Sequence, residues 1–191
     1  MIFYLVGISC VGKTTIGKML AENIDFSFFD LDLEIQKYYN KPIERIQDEC
    51  FSMNRYREKA SKVLDYLFSK NIDSVISGTP SGLKYAYLQV YKKHKANKDL
   101  YSIQINDSCD NVLDRLTFYD KDSKPIIEKM DDSKKRRYLK EIKADYNFFR
   151  DSYKRADLKI DINNISLVDI PNLIINELQK TIKIASCQQI V

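Results

Sequence analysis

The chain has 191 residues, 44% hydrophobic and 30% charged, which is apolar enough for one core and too apolar for disorder. Its formal charge of +4 and single dense basic run, "KKRR" at 134–137, lack the broad basic patch of a nucleic-acid binder, so that run reads as a solvated helix face. Cys10, Cys50, Cys109 and Cys187 are widely spaced and one histidine completes no zinc set, so reduced thiols are expected; with no export or membrane-spanning stretch, so is a cytoplasmic monomer without membrane contact.

The first apolar run, "IFYLVG" from Ile2, reads as a strand and leads into "GISCVGKTT", residues 7–15, with the spacing Gly-x-x-x-x-Gly-Lys-[Ser/Thr]. A strand before and a helix after are the setting in which such a loop wraps phosphate with backbone N–H groups at a helix N-terminus. Gly7, Cys10, Val11, Gly12, Lys13, Thr14 and Thr15 are therefore candidate nucleotide-binding residues. Lys13 would bridge the β- and γ-phosphates and Thr14 would ligate magnesium, which makes ATP and Mg2+ the expected cofactors. Cys10 reads as a small loop filler.

The second strand, "FSFFD" from Phe26, ends in "FFDLD", which puts Asp30 and Asp32 at the carboxyl edge of the sheet, where ligands collect in open α/β folds. Residues two apart on an extended segment face the same way. Beside a triphosphate, such a pair either accompanies magnesium or activates an acceptor hydroxyl; the competing reading is a helix cap. Helical patterns follow at residues 31–39 and 51–69, joined by a short helical turn at "KPIERI". That crossover exceeds what one βα unit needs, so residues 31–70 are expected to form a substrate-binding subdomain.

"SVISG" from Ser74 is the third strand, followed by the loop "GTPSG" and a helix near Leu83 bearing Tyr87, Leu88 and Tyr91 at helical spacing. "YSIQI" from Tyr101 is the fourth, followed by a helix at residues 111–118. "YDKDSKP" then reads as an exposed loop between helices, with residues 118–130 the natural lid. "LKIDI" from Leu158 is the fifth strand, and "SLVDIPNLIINELQK" an amphipathic helix in which Pro171 can sit at the first turn, with residues 184–191 a frayed tail. This alternation predicts a single α/β domain over residues 1–191, a three-layer sandwich with a five-stranded parallel sheet.

The order and spacing of these motifs resemble the shikimate kinase family over nearly the whole chain. "FFDLDLEIQ" is similar to that family's Asp-x-Asp and acidic helix, "KPIERI" to the short helix after it, "RYREKASKVL" to its Phe-Arg-x-x-Glu, and "RDSYKRAD" to its closing Arg, Tyr and Ala-Asp. The resemblance implies a P-loop NTPase fold of the shikimate kinase and nucleoside monophosphate kinase type with a mobile lid. It implies that Thr14 and Asp30 organise magnesium, that Asp32 contacts the acceptor hydroxyl and takes its proton, and that Arg57 and Arg150 hold an anionic group of the substrate. It also implies that Arg115 stacks on the nucleotide and that Lys124 brings charge from the lid.

The departures fall on the acceptor side and the lid. The family's Gly-Gly-Gly is "SGTPSG" here, keeping Gly78 as a substrate-binding candidate and Gly82 nearby, while Pro80 offers no N–H. The glutamate expected three residues after Arg57 is Ala60, and the lid's Arg-Pro is Lys124-Pro125, which keeps charge and loses the planar fork. The expectation is thus an ATP-dependent kinase transferring the γ-phosphoryl group to a hydroxyl of a small anionic acceptor, shikimate to shikimate 3-phosphate. The alternatives are a related kinase for a nucleotide, nucleoside or sugar acid, and an inactive ATP-binding regulatory domain.

Overall fold

The computed structural model describes residues 1–96 and 99–188. The chain begins with β1 (Ile2–Val6), α1 (Lys13–Asn23) and β2 (Ser27–Asp30), then α2 (Leu31–Tyr39), α3 (Ile43–Asp48) and α4 (Met53–Ser69). β3 (Ser74–Ser77), α5 (Tyr85–Lys95), β4 (Leu100–Asn106) and α6 (Cys109–Asp114) follow. A hairpin of β5 (Phe118–Tyr119) and β6 (Pro125–Ile126) precedes α7 (Asp132–Tyr153), β7 (Leu158–Asp161) and α8 (Ile170–Gln188).

The five long strands make a parallel sheet in the order β2-β3-β1-β4-β7. All five residues of the central β1 are buried, as expected of a parallel strand covered by helices on both faces, and this explains its unbroken apolar spelling. The register sets Asp30 beside Ser77 and Ser77 beside Leu5, so β2, β3 and β1 deliver their following loops to one edge. That edge holds two cavities.

Two segments differ from expectation. The helix expected at 111–118 is α6, which starts earlier because the Ser108 hydroxyl accepts from the Asn111 amide at 3.2 Å. The expected loop "YDKDSKP" is the β5–β6 hairpin, closed by Asp120, whose Oδ1 accepts from the Asp122 amide at 2.8 Å and the Lys124 amide at 2.9 Å. Pro171 does sit in the first turn of α8, which continues past Lys183 to Gln188; residues 189–191, the end of the tail expected to fray, lie outside the described residues. Cys10, Cys50 and Cys109 are free thiols, and the Cys187 side chain lies outside the described part. Among the described residues no helix is long and apolar enough to cross a membrane.

Candidate active site

Two cavities open at the carboxyl edge of the sheet. The first, of about 750 Å³, is lined by the phosphate loop, including Cys10, Gly12, Lys13, Thr14 and Thr15, and by Arg115. The loop turns into α1 at Gly12, whose φ of 107° places it in the region that suits glycine. No side chain caps this end of α1, so its first-turn amides are left for an anion. Lys13 is buried and lies back along the loop, donating to the Gly7 carbonyl at 3.0 Å and the Ile8 carbonyl at 2.8 Å. Burial lowers its pKa to about 8, partly opposed by Asp32. Val11 is fully buried in the core, so only its backbone is available to a ligand.

Arg115 braces the loop from the far side. Its Nε donates to the Cys10 carbonyl at 3.1 Å, and a terminal nitrogen pairs with the buried carboxylate of Asp107 at the end of β4. No motif singles out Asp107, which lies eight residues before its partner and is fixed further by the Asn111 side-chain amide at 2.8 Å.

The second cavity, of about 630 Å³, lies under α2, α3 and α4, and Ser9, Thr14, Asp32, Pro80 and Tyr119 line both cavities. Asp30 uses its two oxygens differently. Oδ1 caps α2 by accepting from the Asp32 amide at 3.0 Å and the Leu33 amide at 3.3 Å, while Oδ2 accepts from the Thr14 hydroxyl at 2.6 Å. The two aspartates converge through this cap, since Asp32 already belongs to the first turn of α2 and not to an extended strand. Burial, then the neighbouring Asp30 charge, raises the Asp32 pKa to about 6, with Lys13 opposing.

Arg57 reaches the second cavity from α4. Its Nε donates to the Ser81 hydroxyl at 2.9 Å, its Nη1 to the Asn54 side-chain oxygen at 3.0 Å, and its guanidinium lies 4.8 Å from the Tyr85 ring centroid. These contacts replace the glutamate that Ala60 removes; Ala60 itself is fully buried. Below Arg57, "GTPSG" is a fixed floor. A Cβ on Gly78 would meet the Tyr4 ring at 2.6 Å and the Leu5 carbonyl at 2.8 Å, and the Pro80 carbonyl accepts from the Tyr153 hydroxyl at 2.8 Å. Gly78 lines the first cavity rather than the second.

Two expected residues are not brought to the site. Arg150 faces away from both cavities, its side chain 67% exposed beside Asp151, because α7 continues to Tyr153 and turns Phe149 inward instead, with the exposed Asp145 at the rim of the second cavity. Lys124 is exposed in the β5–β6 connection, where its amide closes the turn on Asp120, and it lines neither cavity. Nor does the basic run 134–137: Lys134 pairs with Glu128 at 2.7 Å and Arg137 with Glu141 at 3.6 Å along α7.

Thr14 and Asp30 offer the hard oxygen donors that magnesium takes, one hydroxyl and one carboxylate, with room for phosphate oxygens from the adjoining cavity. Among the described residues no cluster of three or more His, Cys, Asp or Glu could hold a metal ion.

The profile of the family described as Shikimate kinase matches residues 9–183. Shikimate kinase of Persephonella marina is 31% identical over 177 residues, covering 92% of this chain and 98% of that protein. Among solved structures, shikimate kinase from Acinetobacter baumannii in complex with shikimate aligns with a TM-score of 0.74 at 20% identity, covering 94% of this chain and 93% of that one. Shikimate kinase from Aquifex aeolicus aligns with a TM-score of 0.69 at 24% identity, covering 94% and 96%. At these identities the structural likenesses establish the fold.

Proposed function

This chain belongs to the shikimate kinase family, and on that premise we propose that it transfers the γ-phosphoryl group of ATP to a hydroxyl of shikimate, giving shikimate 3-phosphate and ADP. That it is an ATP-dependent kinase follows from the family; the acceptor and the residue roles are our reading. The observation that carries it is Asp32, the one carboxylate among the described residues that lines both the phosphate-loop cavity and the cavity holding Arg57.

In this reading the phosphate-loop amides and Lys13 hold the β- and γ-phosphates, and Arg115 lies against the nucleotide. Arg57, oriented by Ser81 and Asn54, takes the carboxylate of shikimate in its planar fork. Asp32 accepts the proton of the attacking hydroxyl as its oxygen bonds to the γ-phosphorus and the bond to the bridging oxygen of ADP breaks; the raised pKa of Asp32 suits a base working near neutrality. A magnesium ion, held by Thr14 and Asp30, would supply charge neutralisation on the β- and γ-phosphates.

Residues 31–70 are the acceptor subdomain, since α2, α3 and α4 supply much of the second cavity's wall. The hairpin within residues 118–130 is the lid: Tyr119 lines both cavities, and the turn reaches α3 through Arg45 with Asp122 and Glu44 with Ser123. Closure excludes water and limits wasteful hydrolysis. We place the protein in the cytoplasm, as a monomer. ADP release on adding shikimate to enzyme, ATP and magnesium tests the reading; background release at millimolar shikimate would overturn it.

A further inference from the structure

The acceptor cavity has an unusual charge balance for a site that takes an acid. Its charged lining consists of Asp30, Asp32, Glu44 and Asp145 against Arg57. Three of the carboxylates are already occupied, Asp30 with Thr14, Glu44 with Ser123, and Asp32 with the transferring hydroxyl in the reading above. Asp145 forms neither a hydrogen bond nor an ion pair among the described residues; it stands exposed at the rim of the cavity, where the desolvation it does undergo, with Glu141 nearby, holds its pKa above the ordinary aspartate value. A donor that arrives in the cavity can replace water on this carboxylate with a charge-assisted hydrogen bond.

Its position is fixed by the fold. Asp145, Phe149 and Tyr153 recur every four residues along one stripe of α7, and that stripe is tied to the cavity floor. Tyr153 donates to the Pro80 carbonyl at 2.8 Å, while the Ser152 hydroxyl donates to the Ser81 carbonyl at 3.1 Å and accepts from the Leu83 amide at 2.8 Å. The helix expected to bring a second cation to the acceptor therefore presents an anion, and its end is tied to the floor through Ser152 and Tyr153.

We propose that Asp145 is a specificity-determining residue: it receives a hydroxyl or ammonium donor of an acceptor whose single carboxylate is taken by Arg57, and it excludes acceptors carrying a second anionic group. This rests on the reading of Arg57 given above. A carboxylate on α7 repels a second acidic group and rewards a donor, so selectivity is set by what lies on the acceptor away from its own carboxylate.

The test compares wild type, Asp145→Ala and Asp145→Asn on shikimate and on its analogues in which one hydroxyl that does not receive phosphate is replaced by an amine. Asp145→Ala should raise the shikimate KM about tenfold, with kcat within about twofold and the ATP KM unchanged. Asp145→Asn, which keeps an acceptor oxygen and loses the charge, should recover most of the shikimate KM while losing about tenfold on an amine analogue that wild type accepts. A merely structural residue would move neither this ratio nor the split between the KM values. Wild type active on shikimate with an unchanged KM in Asp145→Ala, or equal effects of Asp145→Asn on both acceptors, would overturn the inference alone. Wild type at background on shikimate would instead overturn the proposed function and this inference with it.

Discussion

Arg57 and Ser81, 24 residues apart in sequence, meet through a 2.9 Å hydrogen bond that aims the guanidinium of α4 over the floor after β3. This pair orients the guanidinium without an acidic partner and leaves its net charge uncompensated, as the proposed anionic acceptor would need. Arg57→Ala should raise the acceptor KM about 10- to 100-fold, the range expected from losing a charged hydrogen-bond pair. Ser81→Ala, which only loosens the arginine, should raise it about three- to tenfold. Steady-state kinetics varying each substrate check both, and the ATP KM should stay within about twofold in each; an equal rise in both KM values would contradict the division between the cavities.

In the proposed reaction Lys13 would serve the nucleotide and Asp32 the acceptor. Lys13→Ala should abolish measurable turnover and weaken binding of a non-hydrolysable ATP analogue at least about tenfold, because it removes the buried cation beside the loop carbonyls. Asp32→Asn should keep analogue affinity within a few-fold, since the Asp30 cap on α2 depends on the residue 32 amide and not its side chain. Turnover should fall about 10²- to 10⁴-fold, the usual worth of a positioned base. Calorimetric titration beside a turnover assay separates the two variants.

The hairpin meets α3 through an exposed ion pair, Arg45 with Asp122, and a part-buried hydrogen bond from the Ser123 hydroxyl to Glu44. Exposed ion pairs contribute about 0–1 kcal/mol and are screened by salt, which would suit the proposed lid if it opens each cycle. The double variant Asp122→Ala/Ser123→Ala should raise the acceptor KM about two- to fivefold. It should also raise the ratio of acceptor-independent ATP hydrolysis to transfer. Wild type in high salt should move toward the variant, while the variant itself should respond little; a salt response equal in both proteins would exclude this contact as the cause.

What could be read in the sequence was whatever is local. The phosphate loop, the boundary between β2 and α2 at Asp30 and the five parallel strands follow from spacing, capping chemistry and apolar runs within a few residues. Partners brought together by the fold left no local signal: Ser81 and Tyr85 for Arg57, Asp107 for Arg115, Glu44 for Ser123. Arg150 was misplaced for a related reason. A segment can resemble a family motif while its helix runs on through Tyr153, and one residue along α7 is a rotation of about 100°, enough to exchange Phe149 in the cavity for Arg150 in solvent.

Asp157 gathers the sheet edge that the site does not use. Its Oδ2 accepts from the Ser102 amide at 2.7 Å, the Ser102 hydroxyl at 2.8 Å and the Tyr91 hydroxyl, and Lys95 lies 3.2 Å from its other oxygen. Burial opposes ionisation here, yet the Ser102 amide, the Tyr91 and Ser102 hydroxyls and Lys95 together hold the carboxyl below the ordinary aspartate value. A folded pKa below the unfolded one means that the stabilisation is fully present above the unfolded value, about 3.9, and is lost as pH falls through the folded value. Asp157→Asn leaves part of this donor set without an acceptor and should cost about 1–3 kcal/mol at pH 7, lowering Tm by roughly 2–12 °C for a chain of this size. The difference in urea midpoint between the two proteins should be constant from pH 7 down to about 5 and should narrow below about pH 4. A penalty that stayed the same at about pH 3.5 and pH 7, in conditions where both proteins fold, would show that the ionised carboxylate is not what joins β4, α5 and β7.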